Sequence, residues 1–166
     1  QSGKSNIMSR LQTIGIEIEE SDPKIRKLLE EVKDREFIGY SYDGADASFE
    51  LLARRIIAEI PRYISIKEYD VSVTKNNEDK IISKAKANLE VDGEQIICEG
   101  EGNGPVHALD NAIRNNVDKL DKYAEYLKDL KLVDYKVRIL NTGTEAVTRV
   151  SIESTDSKGK NWFTIG

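Results

Sequence analysis

The chain has 166 residues, of which 39% are hydrophobic and 33% are charged, a balance typical of one or two small globular domains. Thirty Asp and Glu residues against 25 Lys and Arg residues give a net charge of −5, which disfavours nucleic acid and anionic membrane surfaces as partners. Cys98 is the only cysteine, so the sequence excludes an internal disulfide and predicts a reducing, cytoplasmic compartment. The sequence has no apolar run of the roughly 18 residues that span a bilayer, and its first ten residues lack the apolar core of a signal peptide.

Residues 1–60 predict three short helices. Ser5 is the expected N-cap of the first helix. Asp22 followed by Pro23 is a typical start for the second, with a capping side chain and a proline at the first helical position. The third begins near Asp46, where apolar residues again recur at helical spacing. We therefore expect a small helical linker subdomain at this end of the chain.

After Pro61 the apolar pattern changes from helical to alternating, which indicates β-strands. Asp92-Gly93 is a strong hairpin signal between the second and third strands. The apolar row of these three strands comprises Tyr69, Val71, Val73, Ala85, Ala87, Leu89, Val91, Ile96 and Cys98. A helix is then expected to begin at Pro105. Its predicted sheet-facing residues are Val106, Leu109, Ile113, Val117 and Leu120.

The strand pattern then starts again. Alternation predicts a fourth strand at 133–139, a fifth at 146–152 and a sixth at 161–165. The sequence thus predicts an α+β fold, in which the helical linker is followed by a second domain, 61–166, of two βββα units. The second unit lacks its final helix, and we expect its open sheet face to be covered by a partner chain or a further segment.

The turn from Gly102 to Pro105 leads directly into a helix. Free N–H groups in the first helical turn, together with the helix dipole, suit a carboxylate such as that of a free amino acid. We expect Gly104 to let the backbone approach a ligand closely, with a positive φ. A plain strand-to-helix connection is the alternative, and the residues alone do not separate the two.

The sequence offers no catalytic constellation. His107 is the only histidine, which argues against a His-rich metal site and against a Ser/His/Asp triad. We therefore expect no catalytic residue and no metal ligand in this chain.

A double-stranded-RNA-binding fold is the alternative suggested by topology. The order helix, three strands, helix from Asp46 to about residue 127 is the order of such domains. Their second helix contacts phosphates, yet the helix that begins at Pro105 has no lysine in its first two turns and only Arg114 beyond them. The acidic net charge also disfavours this alternative, so we expect no nucleic acid partner.

Five stretches of the chain carry a resemblance to a known family. They are QSGKSNI at 1–7, YDGADASFELLARR at 42–55, EGNGPVHALDNAIRN at 101–115, LVDYKVRIL at 132–140 and TEAVTRVSIESTDSKGKNWFTIG at 144–166. In order and spacing they resemble the part of α-isopropylmalate synthase family enzymes that follows the catalytic barrel. SGKSNI followed by GADASFELL is most similar to the citramalate synthase branch. The leucine-pathway enzymes usually carry histidines in the first motif, where this chain has Gln1, Ser5 and Asn6.

The resemblance implies a linker subdomain followed by a regulatory domain that pairs into a homodimer. In this family that domain binds the end product of the pathway, isoleucine in the citramalate branch or leucine in the isopropylmalate branch. The catalytic barrel of the same chain condenses acetyl-CoA with a 2-oxo acid and carries a divalent metal. The resemblance therefore implies no cofactor within these 166 residues.

The resemblance also implies which residues contact the effector. At the start of the helix they are Gly104, Pro105, Val106 and His107. On the LVDYKVRI strand Leu132, Tyr135 and Ile139 match positions that line an aliphatic pocket, and Ala146, Thr148 and Ile165 complete its wall. The residues alone leave a plain buried core as the alternative for these alternating positions. Phe163 departs from the family pattern, in which a glycine follows the tryptophan.

Overall fold

The computed structural model describes residues 3–166; Gln1, one of the three positions that distinguish the two branches, lies outside the described residues. The described chain falls into two compact units. The first contains the chain up to Pro61 together with Lys131–Gly166, and the second is Arg62–Leu130. Within the described residues each unit combines helices with one three-stranded antiparallel sheet, so the predicted α+β class is confirmed. The division at residue 60 into linker and regulatory domain stays a prediction.

The helices of the first unit are α1 (Lys4–Thr13), α2 (Pro23–Phe37) and α3 (Asp46–Ile57). Asp22 caps α2 as predicted, since its carboxylate accepts a hydrogen bond from the backbone N–H of Lys24 at 2.8 Å. The prediction for α1 is wrong in detail. Gly3 is the N-cap residue and Ser5 lies inside the helix.

The three helices bury one apolar core, because each presents residues three and four positions apart to the others. The buried members of this core are Ile7, Leu11, Ile25, Leu28, Val32, Tyr42, Phe49, Leu52 and Ala53. Arg10 closes the core on one side. Its guanidinium lies over the ring of Phe49, 4.0 Å from the centroid, and donates to the carbonyl of Tyr42 at 2.9 Å.

The second unit contains β1 (Ile64–Lys75), β2 (Ile81–Val91), β3 (Glu94–Gly102) and α4 (Pro105–Arg114). The strands lie in the order β1-β2-β3, with all neighbours antiparallel. Asp92 and Gly93 form the turn between β2 and β3 with φ angles of 52° and 86°. Two successive positive φ angles are what a two-residue hairpin requires, so the hairpin predicted here is confirmed.

The helix that follows the sheet is shorter than the sequence pattern predicts. The chain after α4 forms a 3₁₀ helix (Val117–Tyr123) and α5 (Ala124–Asp129). Val117 and Leu120 are buried as predicted. Val106 is 40% exposed, so the predicted apolar stripe is wrong at its N-terminal end. Tyr69 on β1, expected in the buried row, is 65% exposed because α4 packs mainly against β2 and β3.

Two alanines of α4 lie over β3, while Leu109 and Ile113 are partly buried against the same core. Ala108 and Ala112 are completely buried, and they lie directly above Gly100 and Gly102 of β3. A Cβ at Gly102 would stand 2.6 Å from the backbone nitrogen of Ala108, and one at Gly100 would collide with the backbone nitrogen of Ala112. The helix therefore approaches the strand so closely that only small side chains fit between them.

The sheet of the first unit contains β4 (Lys131–Ile139), β5 (Thr148–Thr155) and β6 (Asn161–Ile165), in the order β4-β5-β6 and antiparallel. The fifth strand begins at Thr148, two residues later than predicted. Asn141 explains this difference, because its side-chain oxygen accepts the backbone N–H of Val147 at 2.7 Å and keeps Ala146 in the turn.

The register of this sheet divides its side chains into two faces, since directly paired residues point to the same side. We call one the apolar face: Leu132, Tyr135, Val137, Ile139, Thr148, Val150, Ile152, Ser154, Trp162 and Thr164. We call the other the helix-side face: Asp134, Lys136, Arg138, Arg149, Ser151, Glu153, Phe163 and Ile165. On the helix side α3 packs against β6.

Asp156 holds the turn between β5 and β6. Its Oδ1 accepts the backbone N–H groups of Lys158 and Lys160, both at 3.0 Å, and its Oδ2 accepts the indole N–H of Trp162 at 3.3 Å. The backbone hydrogen bond from Lys160 is the largest cause that lowers the pKa of this carboxyl below its ordinary value of 3.8.

Replacement of Asp156 by Asn keeps an acceptor for the turn but removes the charge. A folded pKa below the unfolded one stabilises the protein above the unfolded value, and that contribution is lost as pH falls through the folded value. We expect Asp156→Asn to melt below the wild type at neutral pH, and the difference to shrink below about pH 4. Thermal melts of both proteins across this pH range measure it. A difference independent of pH would contradict the prediction.

Candidate functional site

The turn into α4 holds the first group of residues implicated by the resemblance. Gly104 is the N-cap of α4, with an extended backbone at φ −160°, and a Cβ added to it would meet no atom within 4 Å. The expected positive φ at this glycine is therefore wrong. The glycines at which backbones approach closely are Gly102, the first residue of the predicted turn, and Gly100, which the sequence pattern did not single out.

The first turn of α4 presents free backbone donors. Pro105 has no N–H, and the described structure shows no side-chain cap, which leaves the N–H groups of Val106 and His107 for a ligand or water. The imidazole of His107 folds back over the turn, where its Nδ1 accepts the backbone N–H of Asn103 at 3.2 Å. The turn is exposed, and this hydrogen bond joins its start to the first turn of α4.

The apolar face holds most of the second group. Leu132, Tyr135, Ile139 and Thr148 share this face, and Tyr135 is 45% exposed. Ala146 lies in the turn before β5. Ile165 lies on the helix-side face, where its N–H donates to the hydroxyl of Ser48 at 3.0 Å. The resemblance groups Ile165 with the residues of the apolar face, but the strand register places its side chain on the opposite face of the sheet.

A β-bulge explains how Leu132 and Tyr135 come to share a face. Strict alternation predicts Val133 beside Tyr135, because residues two apart point to the same side. The register shifts between Leu132 and Asp134, so Leu132 pairs with Ser154 and Tyr135 with Ile152. The extra residue is Val133. Three other members of the apolar face, Val150, Ile152 and Trp162, were missed, although the alternation of β5 could have indicated the first two.

The two groups of residues lie in different compact units: the turn into α4 in Arg62–Leu130, and the apolar face in the unit that contains Lys131–Gly166. Within 3–166, no three His, Cys, Asp or Glu side chains are placed to hold a metal ion together. These residues therefore do not fit the divalent metal that the resemblance assigns to the barrel.

In the described part of the chain, no helix is both long and apolar enough to cross a membrane.

The basic residues of α4 do not form a phosphate-binding surface. Arg114 is in the last turn and is paired with Asp110, with 2.8 Å between its Nε and the carboxylate oxygen. A double-stranded-RNA-binding domain needs free cations at the start of this helix. Arg114, in the last turn and paired with Asp110, does not meet this requirement.

Comparison with known proteins matches residues 43–166 to the LeuA allosteric (dimerisation) domain. The chain is 41% identical to the (R)-citramalate synthase of Aquifex aeolicus and 40% identical to that of Geobacter sulfurreducens, in each case over 99% of its own length. It covers 31% of the length of either relative. A probable 2-isopropylmalate synthase of Methanopyrus kandleri is 25% identical over 95% of this chain, which covers 29% of that protein. The resemblance inferred from the motifs is confirmed, and the chain belongs to the LeuA allosteric (dimerisation) domain family.

Proposed function

We propose that this chain is the regulatory part of an acetyl-CoA-dependent acyltransferase of the citramalate synthase type, and that it binds a branched-chain amino acid as a feedback inhibitor. The observation that carries the proposal is the exposed apolar face of the β4–β5–β6 sheet. Leu132, Tyr135 and Ile139 lie along β4 on this face, and Thr148 is the polar residue paired with Ile139. An aliphatic side chain packed on this face removes apolar surface from water on both partners.

The second compact unit contributes a separate candidate contact to the proposal. The N–H groups of Val106 and His107 are donors suited to a carboxylate, and the positive end of the helix dipole favours an anion there. Isoleucine and leucine carry the same charged groups and differ only in branching. The choice between these two effectors therefore depends on the shape of the apolar contacts.

The family's description as a dimerisation domain supports a homodimer for this chain. Large exposed apolar residues in both units, such as Ile66 and Val137, provide surface for self-association. Light scattering of the purified chain measures the state, with a mass twice 18.7 kDa expected.

The relatives are biosynthetic enzymes about three times as long as this chain, which supports a catalytic barrel in the same protein. We propose that this barrel holds a divalent metal and uses acetyl-CoA, and that the protein is cytoplasmic.

Calorimetric titration with isoleucine, leucine and valine tests the effector site, with Tyr135→Ala as the decisive variant. Removal of about 50 Å² of apolar contact at about 25 cal/mol per Å² corresponds to roughly a tenfold loss of affinity. Tyr69→Ala is the matched control, because Tyr69 is 65% exposed on a strand outside the proposed contact. If Tyr135→Ala binds every one of these amino acids as tightly as the wild type does, the apolar face is not the effector site.

A further inference from the structure

The helix-side face of the β4–β5–β6 sheet is attached to the helical segment by two long-range hydrogen bonds. The guanidinium of Arg149 on β5 donates to the carbonyl of Gly39, 3.3 Å away, at the end of α2. The N–H of Ile165 on β6 donates to the hydroxyl of Ser48 on α3 at 3.0 Å. Both bonds are partly buried, so they are shielded from competing water.

A close contact lies beside the first of these bonds. Gly39 has a φ of +108°, and the side chain of Leu140, just after β4, occupies the space that a Cβ at Gly39 would need. Only glycine combines this backbone conformation with such a neighbour. The end of α2 is thus held against the end of β4 by packing as well as by Arg149.

The two faces of this sheet share the same backbone. On β5, Arg149 on the helix-side face is adjacent in sequence to Val150 on the apolar face. A strand paired on both sides moves as a body, because β5 exchanges backbone hydrogen bonds with β4 and β6. Any restraint on Val150 is therefore also a restraint on Arg149.

From these contacts we propose that the β4–β5–β6 sheet and the α2–α3 segment form one cooperative element. Arg149 and Ser48 are its positioning residues. When the apolar face of the sheet is restrained, their hydrogen bonds transmit that restraint to α3. The element joins segments that a division at residue 60 would separate. The mechanical part of the proposal, which is the coupling between the sheet and α3, does not depend on any ligand. The use of this coupling in regulation rests on the proposed effector site.

Native-state hydrogen exchange tests the mechanical part without ligand. Val150→Ala weakens the sheet from its apolar face, and we expect protection of the amides of β5 to fall about fivefold to tenfold. The proposal requires a comparable fall in α3. In the Arg149→Ala/Ser48→Ala background the fall in β5 should remain and that in α3 should disappear. Alanine favours helix more than serine does, so a weaker helix cannot account for the loss.

Arg138→Ala is the matched control. Arg138 is directly opposite Arg149 on β4 and on the same face, and within the described chain it makes no hydrogen bond to the helical segment. We expect it to leave the response of α3 to Val150→Ala unchanged. If α3 fails to respond in the otherwise wild-type protein, or still responds in the double variant, the proposal is overturned.

Addition of isoleucine or leucine separates this proposal from the proposed function. Increased protection of both β5 and α3, abolished at α3 by the double variant, supports both. Protection of β5 alone supports the effector site and overturns its coupling to α3. No protection anywhere, with the ligand-free coupling intact, overturns the effector site and leaves the cooperative element established.

Discussion

Replacing Gly100 by serine is expected to destabilise the second unit by about 3 kcal/mol, because the added side chain has no space between β3 and α4. A Cβ at this position would collide with the backbone of Ala112 and stand 2.7 Å from its Cα. Backbone atoms cannot rotate away as a side chain can. The helix must therefore move off β3, which opens the core around Ala108 and Ala112.

Urea denaturation measures this loss, and Gly104→Ser is its matched control. Gly104 is four residues further along the chain, has open space around it and is the N-cap of α4, a position that serine favours. We expect the control to lie within about 0.5 kcal/mol of the wild type. If the two serine variants have equal stability, the close approach of α4 to β3 is not a constraint on this fold.

Phe49→Ala is expected to destabilise the helical core by about 4 kcal/mol, since it removes a completely buried aromatic ring. Phe49 is 1% exposed and packs edge-on against Tyr42, with 6.3 Å between ring centroids. Its loss also leaves the guanidinium of Arg10 without the aromatic surface over which it lies.

Phe37→Ala provides the comparison for this change. Phe37 is 91% exposed at the end of α2, so the same truncation should alter the free energy of unfolding by no more than about 0.5 kcal/mol. Hydrogen exchange of α1, α2 and α3 shows where the loss occurs. An equal effect of both substitutions would contradict the assignment of Phe49 to the core.

The candidate site could be predicted in part. Motifs in the sequence located the turn before α4 and the strand that carries Tyr135, because local spacing and turn residues determine both. The same motifs grouped Ile165 with Tyr135, although the register with Ser151 places it on the other face. Register depends on pairing between strands, so a motif within one strand cannot determine it.

Capping residues, proline positions and apolar periodicity act over a few residues, so the sequence predicted the six strands and the helices α1 to α4 in their observed order. It also determined the hairpin at Asp92-Gly93 and the cap at Asp22. The tertiary structure alone decided which face of α4 is buried, because close approach to Gly100 requires a small residue such as Ala112 where periodicity favoured larger ones. It likewise decided that the chain up to Pro61 shares a compact unit with Lys131–Gly166. Both features depend on contacts between residues that are far apart in the chain. Such contacts form through packing of the whole fold, so a local sequence pattern does not predict them.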